Sequence, residues 1–225
     1  MSPPENAAML ELIVIRHAET DWNREHRWQG QTDIPLNATG QAQAQALLNA
    51  LRALHPRPTA FISSDLLRAR QTAQPLAEAW GLALSADAGW REQHFGQWEG
   101  LDLPAIRATQ QDLWQAWVEH DADFALPGGG ESTRQFHARV MAALQRAAHA
   151  HAGQCIAVLT HGGALDMLWR QAQGLSLSGL RQSAIPNTGI NRLQWDGKRL
   201  QVLQWAQADH LSGALAPLPT VFKDG

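Results

Sequence analysis

The chain has 225 residues, 44% hydrophobic and 17% charged, enough to bury the core of one full domain and too apolar for a disordered polymer. Its formal net charge of -3, with lysine only at Lys198 and Lys223, argues against nucleic acid or an anionic membrane as the main partner, since those surfaces need concentrated cations. The single cysteine, Cys155, excludes an internal disulfide and any cysteine-built metal site.

In chain order, Met1 to Asn6 lacks a basic region, and the apolar stretch after it is broken by Glu11. Neither a signal peptide nor a membrane-spanning helix is expected, and the cytoplasm is the default location. Leu12-Ile13-Val14-Ile15 reads as a buried parallel strand that stops at Arg16-His17. A polar loop, Asp21 to Asn37, leads into a helix from Thr39-Gly40 with Ala44, Leu47, Leu48, Leu51 and Leu54 on one face. Ala60 to Ser63 reads as a second strand, Ser64-Asp65 as the cap of a helix from Leu66 to Trp80, and Leu82 to Ser85 as a third strand.

A loop from Gly89 to Gly100 precedes a helix capped by Asp102 and running through Trp117. Glu119 to Gly130, with three consecutive glycines, reads as an exposed connection or lid. Phe136, Val140, Leu144 and Ala148 mark a long helix, Cys155 to Thr160 a strand ending at His161, and Gly163 to Gln173 another helix. Asn187 to Trp195 and Arg199 to Trp205 read as strands paired through Asp196-Gly197. The alternation predicts one α/β domain over 1–225, a three-layer α/β/α sandwich with a largely parallel sheet and a cap-like insertion around 94–150.

Two histidines at the carboxyl ends of buried strands occupy the edge where open α/β sheets bind ligands. Arg16 beside the first, small residues after the second, and Arg68 in the first turn of a helix would form a pocket for a compact anion such as phosphate. A neutral imidazole can attack phosphorus while arginines neutralise the equatorial oxygens, and one carboxyl can protonate the leaving oxygen and then deprotonate water.

Arg16-His17-Ala18-Glu19-Thr20 with Trp22-Asn23, the run Ser63 to Ala73 containing Arg68, Glu92 in its aromatic loop, and Thr160-His161-Gly162-Gly163 together resemble the histidine phosphatase superfamily, the phosphoglycerate mutase-like fold. The resemblance implies that His17 is the phosphorylated nucleophile and that Arg16, Arg68 and His161 hold phosphoryl oxygens. Glu92 would be proton donor and acceptor, and Asn23, Gln29, Gly30 and Gly162 would line the phosphate pocket. No metal or organic cofactor is implied. Ala18 stands where glycine is usual, so a positive φ there would crowd its methyl.

Mutases of this family hold the substrate carboxylate with basic residues in the insertion after the glutamate, whereas Asp112 to Glu131 here contains no Arg or Lys. The segments Glu92 to Gly100 and Pro127 to Ser132 look like the phosphatase branch. Hydrolysis of a small phosphorylated metabolite is therefore the expectation; phosphoglycerate mutase, an α-ribazole or sugar phosphate phosphatase, and a non-catalytic phospho-ligand module are the alternatives.

Bland readings stand beside these. His149 and His151 suit a solvated helix end, and His94, His120 and His137 have no zinc-like spacing. Arg70, Arg91 and Arg134 read as structural, and Glu19 and Glu99 compete with Glu92 as the acid. Trp98, Trp114 and Trp117 would pack in the cap or shape a leaving-group pocket. A face formed by Leu113, Trp114, Trp117 and Val118 could equally make a homodimer contact.

Overall fold

The computed structural model describes residues 9–119 and 121–216; the Met1 to Asn6 segment, His120 and Lys223 lie outside them. The sheet has six strands, β1 (Leu10–Arg16), β2 (Ala60–Ser63), β3 (Leu84–Ala86), β4 (Cys155–Thr160), β5 (Ile190–Trp195) and β6 (Leu200–Gln207), in the order β3-β2-β4-β1-β5-β6. The first four neighbours run parallel, and β5 is antiparallel to both β1 and β6.

Strand β1 is apolar on both faces because helices cover both. Leu12 and Val14 pack with Val140 and Leu144 of α6 (Thr133–Ala150) and Leu165 of α7 (Gly162–Gln173). Ile13 and Ile15 point the other way, onto Leu47 and Leu51 of α2 (Ala38–Leu51) and Leu76 of α3 (Leu67–Ala79). Val14 and Ile15 are 0% exposed, and burying each contributes about 1.5–3 kcal/mol. The result is the three-layer sandwich that the alternation predicts. A four-residue helix, α1 (Asp21–Arg24), follows β1, with Thr20 and Asn23 forming its capping box.

Several local expectations change. The helix predicted from Asp102 to Trp117 is two, α4 (Leu103–Thr109) and α5 (Gln111–Val118), because Gln110 leaves helical geometry at φ -141. Its side-chain oxygen accepts from Trp98 Nε1 at 2.8 Å and Gln97 Nε2 at 2.7 Å. Ser64-Asp65 does not cap α3: Asp65 pairs with Arg91, and Asp33 of the long loop accepts from Leu67 N at 2.6 Å instead. The third strand is shifted toward Ala86. Ala18 is not among the positive-φ residues, and its methyl packs on Leu36 and Ala44.

Between His94 and Glu131 the chain leaves the sheet and folds over its carboxyl edge. Trp28, Trp98, Ile106 and Leu126 are buried there, and Phe95, Leu113, Trp114, Trp117 and Phe124 pack on them. The segment read as an exposed connection is thus partly internal: Ala122 and Leu126 are each 3% exposed. The Pro127 carbonyl accepts from Gln97 N at 2.9 Å.

Candidate active site

The parallel register places Arg16 opposite Thr160, so His17 and His161 leave their strands side by side. His17 N donates to the Thr160 carbonyl at 2.8 Å, and the two imidazole centroids are 5.1 Å apart. His17 is 3% exposed, and its Nδ1 lies 2.7 Å from the Ala18 carbonyl. A carbonyl only accepts, so Nδ1 carries the hydrogen and the lone pair resides on Nε2. Burial, then the charges of Arg68 and Arg16, hold the His17 pKa well below its usual value, so the ring is neutral at pH 7.

The cations converge from separate elements. Arg68, in the first turn of α3 and 0% exposed, donates Nη1 to the Thr32 carbonyl at 2.9 Å and Nη2 to the Gly30 carbonyl at 2.7 Å. Thr72 Oγ1 accepts from Ala18 N at 3.0 Å and donates to the Arg68 carbonyl, tying the loop after β1 to α3. Arg16 donates Nη1 to the Ile185 carbonyl at 2.7 Å. The Nε atoms of Arg16 and Arg68 are buried donors with no hydrogen-bond partner among the described residues. Burial lowers both guanidinium pKa values to about 10, so both remain cationic at neutral pH.

His161 is wholly buried at the amino end of α7, with Nε2 2.8 Å from Ser64 Oγ and Nδ1 without a partner among the described residues. Burial first, then Arg68, keeps it neutral. Glu92 faces the same space. Its carboxylate accepts from Gly163 N at 3.0 Å and Gln93 N at 3.0 Å. Its carbonyl accepts from Arg139 Nη2 at 2.9 Å, and Thr160 Oγ1 donates to the Trp90 carbonyl at 2.7 Å, so the acidic loop is fixed to α6 and β4. A side-chain carbon at position 163 would overlap the Glu92 carboxylate and crowd the Phe136 ring, so glycine leaves the carboxylate its room.

The carboxylates that compete with Glu92 in the sequence are engaged elsewhere. Glu99 accepts from Gln31 N, Thr32 N and Phe95 N, shaping the loop that holds Gly30. Glu19 binds Arg24 and Asn37. Arg91 pairs with Asp65 and Arg134 with Asp123. Among the described residues no group of three or more His, Cys, Asp or Glu could hold a metal ion, and no helix is long and apolar enough to cross a membrane.

A cavity of about 280 Å³ opens from this cluster toward the cap, and Arg16, His17, Asn23, Gln29, Gly30, Arg68, Glu92 and Gly162 all line it. His161 does not line it but backs His17. The outer wall is aromatic and apolar, including Trp28, Trp114, Trp117 and Phe124. Trp114 and Trp117 of α5 pack against the aromatic cluster and line this cavity.

Sequence reasoning missed Asn187 and Arg181, which also line the cavity. Asn187 Nδ2 donates to the His17 carbonyl at 2.9 Å. The available signal was topological: a strand antiparallel to β1 must begin beside the carboxyl end of β1, so the turn residues before β5 were candidates.

A neutral imidazole with a free lone pair, flanked by guanidiniums and facing a carboxylate, is equipped for phosphoryl transfer. The comparisons agree. "Phosphoglycerate mutase-like protein 4" of Arabidopsis thaliana is 34% identical over 209 residues, 92% of this chain and 89% of that protein. "Metal-independent phosphoserine phosphatase", also of Arabidopsis thaliana, is 32% identical over 91% of this chain and 84% of that protein. The solved mycobacterial glucosyl-3-phosphoglycerate phosphatase with VO3 superposes with a TM-score of 0.74 at 30% identity, covering 88% of this chain and 99% of that one. The profile of the histidine phosphatase superfamily (branch 1) matches residues 12–208, and the chain belongs to that superfamily, whose enzymes work through a phosphohistidine.

Proposed function

We propose that the protein hydrolyses small phosphomonoesters, with His17 as the residue phosphorylated. The carrying observation is the bond from His17 Nδ1–H to the Ala18 carbonyl, which leaves the Nε2 lone pair in a cavity lined by Arg16 and Arg68. In the first step Nε2 bonds to phosphorus as the ester P–O bond breaks, and Glu92, entering as the acid, gives its proton to the leaving oxygen. The Glu92 carboxylate then takes a proton from water while the water oxygen attacks phosphorus, and the N–P electrons return to Nε2. Alcohol and inorganic phosphate leave, and Glu92 loses a proton to solvent or keeps it for the next cycle.

Arg16 and Arg68 are assigned to the equatorial oxygens, and His161, which stands behind His17, to the back of the same pocket. The unused donors of the two arginines, both Nε atoms, support this, because buried N–H groups left without an acceptor cost roughly 1–3 kcal/mol each. Asn23, Gln29, Gly30 and Gly162 are assigned to the pocket wall. Hydrolysis is favoured over isomerisation by the cap: among the described residues from Phe95 to Phe124 that line the cavity, the one charged side chain is Asp121, which repels the carboxylate of a phosphoglycerate. The names of two relatives, a phosphoserine phosphatase and a glucosyl-3-phosphoglycerate phosphatase, support the same choice. We place the enzyme in the reducing cytoplasm, where its buried Cys155 thiol, pushed up to about 11 chiefly by burial, stays inert.

The test is turnover of phenyl phosphate together with trapping of acid-labile phosphoenzyme. His17→Ala is expected to lose both, and Glu92→Gln to slow alkyl phosphates more than activated aryl phosphates. Phosphoenzyme at the wild-type level in His17→Ala, or rapid isomerisation of 3-phosphoglycerate with no phosphate released, overturns the reading.

A further inference from the structure

We infer that Arg181 is a third guanidinium of the phosphoryl pocket, delivered there by a strap that Arg170 ties to α7; the inference rests on the phosphohistidine reading above. Arg170 is 5% exposed, and all five of its N–H groups are used. Nε donates to Asp166 Oδ2 at 2.8 Å. Nη1 donates to the Ser176 and Ser178 carbonyls at 2.6 and 3.2 Å, and Nη2 to the Gly179 and Leu180 carbonyls at 2.8 and 3.0 Å. Four carbonyls of one short segment are therefore pinned to a single rigid fork. Arg181 is the next residue along.

Its side chain is steered back toward the nucleophile. Arg181 Nε lies 3.8 Å from Asp166 Oδ1, and Asp166 shares its charge with Arg170 at the closer distance. A side-chain carbon at Gly162 would sit 3.6 Å from Arg181 Nη1 and 3.6 Å from Arg16 Nε, so the two cations converge on one small volume at the start of α7. Arg181 is also the charge that most depresses the Arg16 pKa. Two guanidiniums held this close repel one another, and an anion bound between them converts that repulsion into attraction. A phosphoryl group spreads its charge over three equatorial oxygens during transfer, and Arg16, Arg68 and Arg181 would give each of them a guanidinium neighbour.

The alternative ligand for Arg181 is an anionic group on the leaving group. Inorganic phosphate and orthovanadate carry no leaving group, and phenyl phosphate carries an uncharged one, so together they separate the two roles. In Arg181→Met, calorimetric affinity for inorganic phosphate and inhibition by orthovanadate should each weaken about tenfold. The kcat/KM on phenyl phosphate should fall by about 10- to 100-fold, with Arg181→Lys intermediate because it keeps the charge and loses the fork. Arg170→Met should shift phosphate affinity the same way and add little when combined with Arg181→Met, as expected of a residue acting through another. Phosphate and vanadate binding within twofold of wild type in Arg181→Met, with loss confined to carboxylated substrates, overturns the inference. A wild-type protein that binds phosphate through Arg181 yet forms no phosphoenzyme would instead overturn the reaction proposed above while leaving this assignment standing.

Discussion

The phosphoryl end of the cavity and its aromatic end are built on different principles. At the first, four side chains are fixed by directional contacts to backbone: Arg68 to two carbonyls, Arg16 to one, His17 to its neighbour's carbonyl, Glu92 to the Gly163 amide. At the second, Trp28, Phe95, Trp98 and Trp117 are held by ring edges, with centroid separations from 4.7 to 5.9 Å. Polar contacts are intolerant of small displacements, whereas ring packing loses only part of its contact area. Chemistry should therefore be brittle at one end, and leaving-group recognition adjustable at the other.

The sharpest way to break that contrast is a single methyl at the brittle end. Gly163→Ala should displace the Glu92 carboxylate and lower kcat by about 10- to 100-fold, with overpacking costing about 1–3 kcal/mol of stability. Steady-state kinetics with an alkyl phosphate, beside denaturant melts, would check it; an unchanged kcat would mean the proton donor tolerates movement. At the adjustable end, Trp117→Ala should raise KM for bulky aryl phosphates several-fold, leave kcat for a methyl ester nearly unchanged, and cost about 2 kcal/mol, below the range for a fully buried tryptophan because this one is half-buried. A collapse of kcat for both substrates would erase the distinction between the two ends.

The smallest effect is on stability against pH. His17 and His161 have folded-state pKa values below their unfolded ones, so between the two values the unfolded chain binds more protons. Stability should be full above about pH 6.5 and fall as the pH drops, by up to ~1.4 kcal/mol per pH unit for each ring. Glu131, whose pKa is lowered by Arg139 and the His94 amide against the opposing effect of burial, loses its contribution only in a more acidic window, below the usual glutamate value. Thermal melts from pH 7.5 to 5 on wild type and His161→Asn would measure the slope, which should flatten in the variant.

The placement of the candidate site's residues was legible because they sit where a periodic pattern stops. A β-branched strand ending at a histidine is a local signal, and it recurs at His17 and His161. Arg68 was legible as a cation one turn into a helix following a buried strand. Arg181 and Asn187 were not, since they lie in a serine- and proline-containing segment with no period, and only the antiparallel return of β5 brings them to the site. Asp65 misled for a different reason: an acidic residue before a helix is a good cap, but here Arg91 offers two charge-assisted bonds at 2.6 and 2.7 Å. The break at Gln110 was equally invisible, because its cause is an indole N–H brought near by the cap's own folding.

The pairing of β1 with β4 has a temporal implication. β1 lies toward the amino end and β4 about two-thirds of the way along the chain, so a parallel ladder between them closes a loop containing most of the molecule, an entropically costly and slow event during folding. Until that ladder zips in register the two imidazoles are strangers, so a nascent chain on the ribosome stays inert at least until its last third begins to emerge.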